Sequence, residues 1–135
     1  MKQYSRFLIL LLCAFCVYAC SKDPASSFEE PIVPEAQFSS IQENVFNRSC
    51  AISGCHNGSE SPNLSAGAAY NNIVNVRSSR GIDYIEPGNP NSSYLYLKII
   101  GSNISGSRMP EGQAPLSAAV TDSIRAWIQK GALDD

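Results

Sequence analysis

A single histidine, His56, directly follows the second of two cysteines in Cys50-Ala51-Ile52-Ser53-Gly54-Cys55-His56, and no other stretch restricts the chain as much. Beyond the initiator there is also only one methionine, Met109. A multi-histidine metal site and a catalytic triad with a spare histidine are therefore excluded. Any metal or redox chemistry here has its side-chain ligands nearly assigned in advance. The formal charge of −2 and 16% charged residues exclude a basic nucleic-acid binder and an acidic disordered tail.

The apolar residues are unevenly spread. Lys2 and Arg6 precede an apolar run over 7–20 that ends at Ala19-Cys20, the layout of a secretory signal. The run is shorter than the about 20 residues a spanning helix needs. Val17-Tyr18-Ala19-Cys20 resembles the lipobox of bacterial lipoproteins, which implies lipidation of Cys20 and removal of residues 1–19. A multiply acylated cysteine is enough for stable anchoring. The expected location is a bacterial membrane facing the periplasm or cell surface, and Ser21 in place of an aspartate after Cys20 favours the outer membrane. Without Lys2 and Arg6, eight basic residues face twelve acidic ones, a formal charge of −4. Residues 20–37, with Pro24, Pro31 and Pro34, read as an extended linker. One domain then occupies 38–133.

Of five cysteines, Cys13 and Cys16 leave with the signal and Cys20 takes the lipid, so Cys50 and Cys55 remain. Cys-x-x-Cys-His is the attachment signature of c-type haem, and here the gap is widened to four residues. Two thiols add to the two haem vinyl groups, and the adjacent imidazole is delivered to the iron. Ser53 and Gly54 suit the tight backbone path between the thiols. Two other readings stay open at this point: a Cys50–Cys55 disulfide loop in an exported protein, or zinc held by Cys50, Cys55, His56 and a carboxylate.

Met109 supplies the second half of the argument. A lone methionine is ordinarily core filler, but Met109 lies in the polar, glycine-rich stretch 101–115, with no periodic apolar face to fill. Its thioether is a soft ligand suited to haem iron, and Met/His ligation raises the reduction potential.

Four stretches together make residues 38–133 resemble a small cytochrome c domain of the planctomycete type. They are Val45-Phe46 with Cys50 and Cys55-His56; Pro87-Gly88-Asn89-Pro90 with Ser93 and Leu95; Met109-Pro110; and Leu116-Ser117 with Ile124, Trp127-Ile128 and Gly131-Ala132. The resemblance implies a single covalent haem c, with His56 and Met109 as axial ligands and Cys50 and Cys55 as thioethers. It also implies that the Pro62-Asn63-Leu64 segment offers a carbonyl to the ligating imidazole. First and last helices cross near the haem in this family, so Phe46 and Trp127 are the expected contact. The haem propionates would pair with Arg77, Arg80 or Arg108, or with the hydroxyls of Tyr84, Tyr94 or Tyr96.

Helical signals agree. Ser39 or Ser40 can cap a helix starting near Ile41, with Gln42 or Glu43 completing a capping box and Ile41, Val45 and Phe46 on one face. Ser117 can cap a last helix whose Val120, Ile124, Trp127 and Ile128 recur at helical spacing, with Lys130 suiting its end and Gly131 stopping it. Short helices are expected over 65–74 and 92–100. The second is apolar on more than one face and also admits a strand reading. The fold class is all-α: a small cytochrome c-like fold of three to four short helices and long loops. So few helices bury little apolar area, and a covalent haem would supply the missing core.

The expected function is electron transfer by a monohaem lipoprotein that transforms no substrate. It would meet a redox protein by transient contact, the membrane through its lipid, and no nucleic acid. Two alternatives are a haem-free binding or structural lipoprotein with a Cys50–Cys55 disulfide, and peroxidase-like catalysis at an open distal site.

Overall fold

The computed structural model describes residues 32–135. The expected signal segment 1–19, Cys20 and the linker as far as residue 31 lie outside the described residues. Those that are described form helices and loops without a strand, in keeping with the all-α expectation. None of the described helices is long and apolar enough to cross a membrane.

Helix α1, Phe38–Ile41, runs directly into a π-helical segment, Gln42–Cys50. It starts earlier than the serine caps predicted, and no side chain of its own caps it. The cap comes from the far end of the chain. Phe38 N–H donates to Asp135 Oδ1 at 2.8 Å, and Ser39 N–H donates to the main-chain oxygen of Asp135 at 2.9 Å. Ser40 instead accepts from Glu35 N–H through its hydroxyl. Pro34 is buried, so the packed body takes in the last residues of the expected linker and runs on past residue 133.

The π winding decides what α1 presents. With bonds spanning five residues, as from Ala51 N–H to the Phe46 carbonyl (2.7 Å), side chains at i and i+5 share a face. Ile41, Phe46 and Ala51 fall in one row, and Val45 and Cys50 in another. An α-helix aligns i with i+3 and i+4 instead, and would turn Cys50 away from Val45. Ile41, Val45 and Phe46 are buried as expected, and Cys50 and Ala51 pack against the same core.

Helix α2, Ala69–Ile73, is the C-terminal half of the helix expected over 65–74. A loop follows over 74–85, closed by isolated bridges between Val74 and Ile85 and between Arg77 and Asp83. A 3-10 turn, Pro90–Ser92, leads into helix α3, Tyr94–Ile100. The strand reading of this segment is thereby replaced. Its first free N–H groups, on Tyr94 and Leu95, donate to the Asp83 and Tyr84 carbonyls at 2.9 Å each, which is how a helix with no side-chain cap can start inside the protein. Tyr94, Leu95, Tyr96, Leu97 and Ile99 are all buried, so α3 is internal on nearly every side.

Helix α4, Ala118–Gln129, matches its prediction. The Ser117 side chain accepts from Val120 N–H, and Ile124, Trp127 and Ile128 are fully buried. Gly131, at φ +103°, turns the chain out of the helix. The tail then folds back. Trp127 Nε1–H donates to the Leu133 carbonyl at 2.8 Å, and the Tyr70 hydroxyl to the Ala132 carbonyl at 3.0 Å. Helix α4 packs on α1 and α3. The aromatic contact between first and last helices is made by Phe38, whose ring centroid lies 5.7 Å from Trp127 and 6.4 Å from Phe46. Phe46 is fully buried beside them without meeting Trp127 ring to ring. Phe46 and Trp127, the expected contact, share one core cluster, and Phe38 pairs its ring with each of them.

Candidate functional site

The described residues leave a large hollow beside the core. A cavity of about 800 Å³ is bounded by the end of the π segment, the 54–64 loop, the 79–84 loop, α3 and the 105–113 loop. Cofactor sites commonly run from about 300 to 1,000 Å³. Phe46, Leu64, Leu95 and Ile99 make an apolar lining, into which Cys50, Cys55, His56 and Met109 all project. The fold thus brings together four residues drawn from two segments far apart in the sequence.

The segment carrying the thiols is held by its own backbone. Cys55 N–H donates to the Ile52 carbonyl at 3.0 Å and His56 N–H to the Cys50 carbonyl at 3.1 Å. Gly54 adopts φ +79° at the turn between them, a backbone conformation that the Ser-Gly pair foreshadows. Both cysteines are free thiols, half-buried. Burial, and after it the neighbouring Cys55, pushes the Cys50 thiol up to about 12, so Cys50 is protonated at neutral pH.

His56 Nδ1 lies 3.1 Å from the Pro62 carbonyl oxygen, the proline segment expected to serve the imidazole. A carbonyl only accepts, so Nδ1 carries the hydrogen and Nε2 keeps a lone pair. A ligating imidazole is ordinarily oriented by such a bond on its other nitrogen. Among the described residues no group of three or more His, Cys, Asp or Glu side chains is gathered closely enough to hold a metal ion by itself.

Met109 is fixed from several directions. Its N–H donates to the Lys98 carbonyl at 2.9 Å, tying it to the end of α3. The Arg108 guanidinium donates to the Met109 and Gln113 carbonyls, each at 2.8 Å. The stem of Arg108 lies over Gly101, where an added Cβ would meet its Cγ and Cδ at 3.3 Å. Lys98 Nζ donates to the Ser105 carbonyl at 3.0 Å and to that of Ser107. Two cations thus hold a glycine-rich loop by its carbonyls.

These contacts sort the expected propionate partners. Arg77 pairs with Asp83 at 3.2 Å on the surface, and Arg108 is spent on the loop. Arg80 alone of the three arginines lines the cavity, with Tyr84 and Tyr94; Tyr96 belongs to the core. Lys98 also stands in the wall, and its work on the loop carbonyls depends on the loop's path. No family model, curated protein or solved structure matches the chain.

Proposed function

We propose that this chain is a monohaem c-type cytochrome with a cytochrome c-like fold of the planctomycete type, tethered to a bacterial membrane through a lipidated Cys20. Cys50 and Cys55 would hold the cofactor covalently, and His56 and Met109 would ligate the iron. Haem bound there supplies one-electron cycling between ferric and ferrous iron, which a transiently bound redox protein would use.

One observation carries the reading: two free thiols, an imidazole with its Nδ1 taken by a carbonyl, and the thioether line one cavity of about 800 Å³. The donor set fits haem iron, since a neutral imidazole and a soft thioether suit it. The protein's own contribution is positional. The Pro62 carbonyl orients His56, and α3 and Arg108 hold Met109. Arg80, Tyr84 and Tyr94 bring a cation and two hydroxyls to the same cavity for the carboxylate arms of a haem.

The test is a pyridine haemochrome assay, with haem-stained denaturing electrophoresis, on protein made together with haem-maturation machinery. Covalent haem in the wild type, reduced to a single bond in Cys50→Ala and lost or nearly so in Cys55→Ala, is the expected result. Protein that carries no haem under those conditions overturns the reading.

A further inference from the structure

Gln42, the first residue of the π segment, is a buried amide, 8% exposed, among the buried apolar side chains of Ile41, Val45 and Phe46. Its two amide hydrogens are both spent. Nε2 donates to Asn47 Oδ1 at 2.7 Å and to the Leu64 carbonyl at 2.9 Å. The π winding makes the first bond reachable, because Asn47 stands five residues on and so on the same face. With the hydrogens so committed, Oε1 is buried with no partner among the described residues. An unpaired buried acceptor opposes folding, so packing does not account for a glutamine here. An apolar side chain of the same length would fill the space without that cost.

What the amide holds accounts for it. The Leu64 carbonyl ends a short segment that closes on His56 twice: Leu64 N–H donates to the His56 carbonyl at 2.7 Å, and the Pro62 carbonyl accepts from His56 Nδ1 at 3.1 Å. Gln42 is the side chain that ties this segment to the rigid π turn bearing Cys50.

We propose that Gln42 is a positioning residue for His56: by clamping the Leu64 carbonyl it fixes the Pro62 carbonyl against Nδ1, which holds the ring in the Nδ1–H tautomer with the Nε2 lone pair free for a metal. The metal-binding half of this inference rests on the haem reading; the clamp itself does not.

The chain's single histidine makes the test direct. Long-range proton–nitrogen NMR on the full haem-free chain in detergent, labelled at histidine, reports one imidazole and its tautomer. The wild type is expected to be almost wholly Nδ1–H. Gln42→Met should shift the ratio severalfold toward Nε2–H, and Gln42→Asn, too short to reach both acceptors, should do the same if the methionine variant fails to fold. Val120→Ala, a destabilising change in α4, should leave the ratio alone. In haem-loaded protein Gln42→Met should raise the reduction potential, because a ligand that donates its other hydrogen less well is less basic, whereas Val120→Ala should not. A wild type mainly in the Nε2–H form, or Gln42 variants that keep the wild-type tautomer and potential, overturns the proposal. A tautomer that answers to Gln42 in a protein that never attaches haem upholds the clamp and removes the haem reading instead.

Discussion

Cys50 gives a quantitative test of the site that needs no cofactor. Its thiol is pushed from 9.0 to about 12, first by burial and then by Cys55. The thiolate is the nucleophile. At pH 7 to 8 the shift lowers the thiolate share by about 10³-fold, while each thiolate, being more basic, reacts roughly 20-fold faster for a Brønsted slope of about 0.45. The two effects leave Cys50 alkylating roughly 40-fold more slowly in the folded chain than in the same chain unfolded in urea. Restricted access through the cavity can only lengthen that delay. Iodoacetamide trapping of haem-free protein, followed by peptide mass spectrometry, isolates Cys50 from the other cysteines. The sign for stability follows from the same shift. The folded chain keeps this proton over the interval in which the unfolded chain loses it. The contribution is therefore fully present below pH 9 and is lost as pH rises from 9 to about 12. Folded protein whose Cys50 alkylates within a few-fold of the urea rate, with its circular dichroism unchanged, would refute this account of the site.

Met109→Ala should abolish the ferric–thioether absorption band of the haem-loaded protein, lower its potential and open enough of the distal face to give some peroxidase activity; an unchanged spectrum and potential would remove Met109 as a ligand. Asp135→Ala deletes one of the two acceptors that cap α1 and should cost about 1 kcal/mol, a fall in Tm of about 4–8 °C for a domain of this size; a thermal melt within a degree of wild type would show the main-chain oxygen of Asp135 to be sufficient. Cys20→Ser should move the protein from the membrane to the soluble fraction, and wild-type protein lacking fatty acid by mass spectrometry would contradict the anchor.

Some features were legible in the sequence because their causes are local. In α4 the cap at Ser117, the recurrence of Ile124, Trp127 and Ile128, and the stop at Gly131 lie within a few residues of what they control, and the helix formed as they indicate. The same holds for the turn at Gly54, whereas the bond from His56 to the Pro62 carbonyl was implied by the resemblance alone. The scarcity of histidine and methionine reduces the candidate site to Cys50, Cys55, His56 and Met109, although counting does not say whether they meet.

Tertiary structure decided the rest. A short segment rich in tyrosine and isoleucine has no intrinsic reason to be a helix over a strand, and α3 is helical where the Asp83 and Tyr84 carbonyls take its first N–H groups and neighbours bury it on nearly every side. The cap of α1 comes from Asp135, which no window around Phe38 contains. The clamps that Gln42, Lys98 and Arg108 place on loop carbonyls depend on where other backbone runs. A side chain's chemistry can be read from the sequence, but a hydrogen bond also needs its acceptor within reach, and only the folded chain sets that distance.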